Sequence, residues 1–100
     1  MPEIRFQIEW PDGLQETCYS PSLVVKEYFT PGRDYSLEDF VKRSRTALRI
    51  ASDRVREKYG RPCNLALSQL QRIEVIATNY KHLSQPKVRL LQFVKARNED

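Results

Sequence analysis

Residues 4–10 read Ile-Arg-Phe-Gln-Ile-Glu-Trp, an unbroken alternation of large apolar and polar side chains. A period of two is the repeat of a strand with one buried face. Ile4, Phe6, Ile8 and Trp10 therefore point to a core, and Arg5, Gln7 and Glu9 to solvent. Pro11-Asp12-Gly13 follows: proline presets the first turn position, aspartate suits the second, and glycine takes the left-handed one. Residues 14–19 are then the returning strand of a hairpin. A three-residue loop with a glycine bulge sets Trp10 opposite Leu14 and Phe6 opposite Cys18. The same register sets Glu16 opposite Ile8, a carboxylate on an apolar face, whereas a one-residue slip buries Thr17 and Tyr19 instead. Both registers remain open at this point.

Ser20-Pro21 reads as a helix start, a serine cap followed by proline at the first helical position. The short helix Ser-Leu-Val-Val-Lys-Glu-Tyr-Phe ends before the turn Thr30-Pro31-Gly32-Arg33-Asp34-Tyr35. Ser36 and Asp39 resemble a capping box and open a long helix over 37–59. Leu37, Phe40, Val41, Ser44, Ala47, Leu48, Ala51 and Val55 form its apolar stripe, and Gly60 ends it. Pro62 starts a third helix over 63–82, with Leu65, Ala66, Leu70, Ile73, Ile76, Ala77 and Tyr80 apolar. That arc is wide enough for contact with two neighbours or with a second copy of the chain. Residues 87–94 form a closing strand that is apolar on both faces, with Leu91 and Phe93 on the second one. The order strand, strand, helix, helix, helix, strand predicts an α+β fold. Its three-stranded sheet, the N-terminal hairpin plus the C-terminal strand, is covered on one face by helices. One domain is expected over 1–94, with a loose tail over 95–100. The second face of the closing strand invites a homodimer.

The 100-residue length suits one core without staples. No apolar run approaches the ~20 residues needed to cross a membrane. The opening Met-Pro-Glu-Ile-Arg lacks the pattern of a secretory signal, so the expected location is the cytoplasm, with Cys18 and Cys63 reduced. Two cysteines and one histidine, His82, do not supply the four ligands of a structural zinc site. The three glycines sit at turns and build no phosphate-cradling loop, so neither a metal nor a cofactor is expected. The net charge of +4 and isoelectric point near 9.3 admit an acidic partner.

Chemistry concentrates in Cys18-Tyr19-Ser20-Pro21-Ser22. A nucleophilic cysteine needs a base and a setting that stabilises a thiolate, whereas a cysteine on the apolar face of a strand is a small buried hydrophobe. Ser20 is read first as a cap. Lys42, Arg45, Arg49 and Arg56 share the solvent side of the long helix and could face a polyanion, with Asp39, Asp53 and Glu57 spaced to neutralise them. Arg33 near the start of that helix could hold a small anion, although a surface turn explains the same residues.

The runs RFQIEWPDG, CYSPSLVVKEYFTPGRDY and FVKRSRTALRIASDRVREKYGRPC resemble a small bacterial family of nitrogen-starvation response proteins. The resemblance is close over about residues 2–63 and looser afterwards. It implies a role in a pathway encoded beside a nitrilase, a radical-SAM protein, an acetyltransferase, a synthetase-like protein and a flavoprotein, and it implies no activity. The matching positions are Cys18, Tyr19, Ser20, Pro21, Ser22, Tyr28, Arg43, Ser44, Arg45 and Cys63, which mark a shared surface. The leading expectation is a non-catalytic accessory or regulatory protein that binds another protein, such as an enzyme of that cluster. Two alternatives stand beside it: a small ligand-binding protein or small enzyme built on Cys18–Ser22, and nucleic-acid binding through the basic helix face, the less favoured of the two.

Overall fold

The computed structural model describes residues 3–95. Its strands are β1 (Ile4–Glu9), β2 (Gln15–Ser20), β3 (Asp34–Ser36) and β4 (Lys87–Lys95), and its helices are α1 (Leu37–Tyr59) and α2 (Asn64–Ala77). Short 3₁₀ turns at Leu23–Glu27 and Thr78–Tyr80 complete the chain. The fold is α+β with the helices on one face, but among the described residues the sheet has four antiparallel strands, in the order β2-β1-β4-β3, rather than three. The added strand is Asp34–Ser36, which pairs with Lys87–Arg89. The short helix expected from residue 22 is a 3₁₀ turn. Lys95 belongs to β4, and the rest of the expected tail lies outside the described residues.

The hairpin adopts the register Phe6 to Cys18 and Ile8 to Glu16. Gly13 takes φ 91° and donates its N–H to the Trp10 carbonyl at 2.8 Å. The slipped register is excluded because Glu16 has partners on the core side. Its carboxylate accepts from the Trp10 indole at 3.1 Å and from Arg72 Nε of α2 at 2.6 Å. A carboxylate opposite Ile8 thus becomes the acceptor that a buried tryptophan requires. Phe40 of α1 meets the Trp10 ring edge-on at 5.7 Å, and Tyr80 stacks on it at 5.6 Å. Ile4, Phe6, Ile8 and Trp10 are all buried against the helices, with Phe40, Leu48, Leu70, Ile73, Val88 and Leu90.

α1 begins where Ser36 Oγ accepts from the Asp39 N–H at 3.1 Å and stops at Gly60, whose φ of 86° is left-handed. Its stripe is buried as the spacing requires, with Val41 and Val55 half-buried at its margin. α2 buries Ala66, Leu70, Ile73 and Ala77, but Leu65 is 65% exposed.

β4 departs from expectation at one residue. Gln7 pairs with Gln92 and Ile8 with Leu90, so Leu91 is extra and forms a β-bulge. The bulge returns Phe93 to the core side, opposite Phe6, instead of leaving it on the second face with Leu91. The second face is lined instead by polar pairs: Gln92 to Gln7, Gln7 to Thr17, and Arg89 to Asp34 at 2.7 Å. The face expected to invite a second copy is therefore largely polar.

Replacing Glu16 by alanine leaves the buried indole N–H without an acceptor, which costs about 1–3 kcal/mol. The urea midpoint, followed by Trp10 fluorescence, should fall accordingly. Arg72→Ala, on the exposed side of the same pair, should cost less than about 1 kcal/mol.

Candidate functional site

The Cys18–Ser22 segment is the corner between β2 and the first 3₁₀ turn. Cys18 is fully buried. Burial, and next the charge of Glu16, push its thiol far above the ordinary range, with Arg72 opposing weakly. Such a group is protonated and inaccessible, the reverse of an activated nucleophile. His82 lies in an exposed turn after the second 3₁₀ segment. Ser20 is not the helix cap. It stays in β2 opposite Ile4, and its hydroxyl donates to the Ser22 carbonyl at 2.7 Å and accepts from the Ser22 N–H at 3.3 Å. That local turn moves the cap to Ser22, whose Oγ accepts from the Val24 N–H at 3.2 Å and from Arg54 of α1 at 3.3 Å. Pro21, in the bend between the two serines, is buried.

Tyr19 faces outward from β2. The Arg5 guanidinium lies 5.5 Å from its ring centroid. Its phenol is pushed up to about 12, first by burial and then by Glu3. Its backbone N–H is held by Gln69 Oε1 of α2 at 3.0 Å. Cys63 is half-buried at the start of α2, where its N–H bonds Ser52 Oγ at 3.2 Å. Both cysteines are free thiols.

The other family positions form two further groups. Arg43 donates to Asp39 at 2.9 Å and to the Tyr28 carbonyl at 2.9 Å, and it lies 5.1 Å from the Tyr35 ring centroid. It ties α1 to the end of the 3₁₀ turn and to β3. Arg33 approaches the same ring at 5.5 Å. Ser44 is fully buried, and its Oγ is without a hydrogen-bond partner. Arg45 bonds Glu74 of α2 at 2.9 Å. The candidate residues are therefore divided among the β2 corner, the Tyr28–Arg43 junction and the contact between the helices; they do not converge on one pocket.

The basic face is likewise partly spent. Arg45 is committed to Glu74 and Arg56 to Asp53, which leaves Lys42 and Arg49 exposed. Lys42 and Arg45 line an open cleft of about 970 Å³ between the start of α1, the end of α2 and the Gln85–Pro86 turn. Glu38, Asp39, Glu74 and Lys81 share it, so its charge is mixed rather than polyanion-binding. Among the described residues no cluster of metal-ligating side chains occurs, and no helix is long and apolar enough to cross a membrane.

Sequence reasoning missed Gln69, Arg54 and the outward side of α2. Val75 on that side is 59% exposed, and Leu65 and Leu67 on the two flanks of the buried arc are 65% and 40% exposed. The charges of this helix, Arg72 and Glu74, are both drawn into ion pairs, with Glu16 and Arg45. The signal was available for Leu67 and Val75, two aliphatics on the side of α2 away from its buried arc.

Two measurements test the reading of Cys18. An alkylating reagent near neutral pH should label Cys63 and spare Cys18 until the protein is unfolded. The unfolded chain loses its Cys18 proton above the ordinary value of 9.0, while the native state keeps it. Stability should thus fall as pH rises past about 9, approaching about 1.4 kcal/mol per unit for this group. Urea melts at about pH 8 and about pH 10 should show the decline, and Cys18→Ala should flatten it.

No curated protein and no solved structure gives a significant match. A family model, the nitrogen starvation-induced protein NitG, matches residues 5–93. The match spans all four strands and both helices up to Phe93, so the chain belongs to the NitG family of nitrogen starvation-induced proteins.

Proposed function

We propose that this chain is a non-catalytic accessory or regulatory protein of a nitrogen-starvation pathway, acting in the cytoplasm by binding another protein through the outward face of α2. One observation carries the reading. Leu65, Leu67 and Val75 stand exposed on a helix whose two charged residues are already neutralised. Leu67 and Val75 lie toward the outward side of the helix and Leu65 on its other flank, and exposed aliphatics among spent charges are the composition of a contact surface. The CYSPS corner supports the same reading from the other direction, since its hydroxyls and thiol are spent on the turn and the core. An enzyme of the nitrilase-linked gene cluster is the proposed partner. A second copy of the chain is the other occupant this helix face admits, and the mass of the purified protein in solution separates the two.

The test is a co-purification from nitrogen-limited cells, with nuclease treatment and mass spectrometry of what remains bound. Stoichiometric recovery of one enzyme is expected, and Val75→Glu, an exposed substitution that leaves the fold intact, should reduce it about tenfold or more. Equal recovery with Val75→Glu, or recovery of the chain alone as a monomer, overturns the reading.

A further inference from the structure

β4 outlasts the strand on one of its sides. Toward β1 it is paired from Arg89 to Lys95, but toward β3 only Lys87–Arg89 are paired. Gly32 and Arg33 extend that contact to Leu90 through bonds of 2.6 and 3.0 Å, and there the chain turns away. Among the described residues no strand lies beside Leu91–Lys95 on that side. The ladder tells which groups are left over. The Trp10 N–H bonds the Leu14 carbonyl, so the even residues of β1 turn their backbone to β2, and Arg5 and Gln7 turn theirs to Val94 and Gln92. The N–H and C=O of Phe93 consequently point to the open side. The opposite edge of the sheet is treated differently, because Gln69 of α2 occupies the Tyr19 N–H of β2.

The surroundings choose the occupant. Phe93 is half-buried and offers an apolar contact in the middle of the open stretch, and the Lys26 ammonium lies 5.9 Å from its ring centroid. Arg33 stands at one end of the stretch and Lys95 at the other. Glu27 follows Lys26 and offsets part of this charge, while Asp34 and Asp39 are already held by Arg89 and Arg43. Antiparallel self-pairing of β4 centred on Phe93 would bring the Lys26 ammonium groups of two copies toward each other, like charge against like. The geometry points to Leu91–Lys95 as a docking edge for an extended acidic segment of a partner protein, which adds to the sheet in line with β3 and sets carboxylates against Lys26, Arg33 and Lys95. This edge lies across the sheet from α2, so it is separate from the surface proposed above.

The probe is a fluorescein-labelled peptide of alternating glutamate and valine, about six residues long, as a strand of that length requires. Fluorescence anisotropy should show saturable binding, and hydrogen exchange should show the Phe93 amide protected about tenfold or more in the complex. The double variant Lys26→Glu, Lys95→Glu should weaken binding about tenfold or more, whereas Val75→Glu should leave it unchanged. The inference is overturned by absent binding, by equal binding of a lysine–valine peptide, or by equal binding of a peptide with a central proline. It is also overturned if the free protein is a dimer whose Phe93 amide is already protected, since a second copy then holds the edge.

Discussion

A single hydrogen bond, from the Trp10 indole to Glu16, organises the rest of the molecule. The largest core side chain carries a donor that burial leaves without water, and the residue across the hairpin supplies the acceptor. Satisfying that donor selects the hairpin register, because only one of the two alternatives places Glu16 on the core side. It also recruits α2, whose Arg72 binds the second carboxylate oxygen. Phe40 and Tyr80 close around the same ring, so the hairpin, α1 and the 3₁₀ turn after α2 meet at one residue. The Glu16 that looks out of place in the alternation is therefore the polar counterpart of the core.

Much of this was legible beforehand. The Ile4–Trp10 alternation, the Pro-Asp-Gly turn, the Ser36 cap and Gly60 each rest on a local rule, and each appears where the rule puts it. The misses have physical reasons. β3 is three residues long, too short for alternation to register, and it exists only because β4 is there to pair with it. The bulge at Leu91 cannot be read from a segment that is apolar at every other step and beyond, since one added residue changes the face of Phe93 without changing the composition. The 3₁₀ turn begins later than Ser20-Pro21 implied because the Ser20 hydroxyl closes on Ser22 first.

The candidate site was legible as residues and not as geometry. Cys18 through Ser22 could be read as a junction from local chemistry, and the structure gives it that form. What attaches the junction to the rest of the protein comes from far along the chain: Gln69 onto Tyr19 and Arg54 onto Ser22. Polar residues on exposed-looking helical positions announce no such partners. The same holds for Arg45, which the helical spacing assigned to a basic face and which Glu74 of the neighbouring helix claims. Exposure of Leu67 and Val75 likewise follows from which side of α2 packs inward, a property of the assembled layers.

The Gln69 side chain has a bearing on stoichiometry. By occupying the Tyr19 N–H it takes up one outward donor of β2, while among the described residues no strand pairs with β4 at Phe93 on its far side. The two borders of the sheet are therefore unlike. Head-to-tail joining of copies through these two borders has first to displace Gln69, so this one side chain works against the stacking that builds fibres.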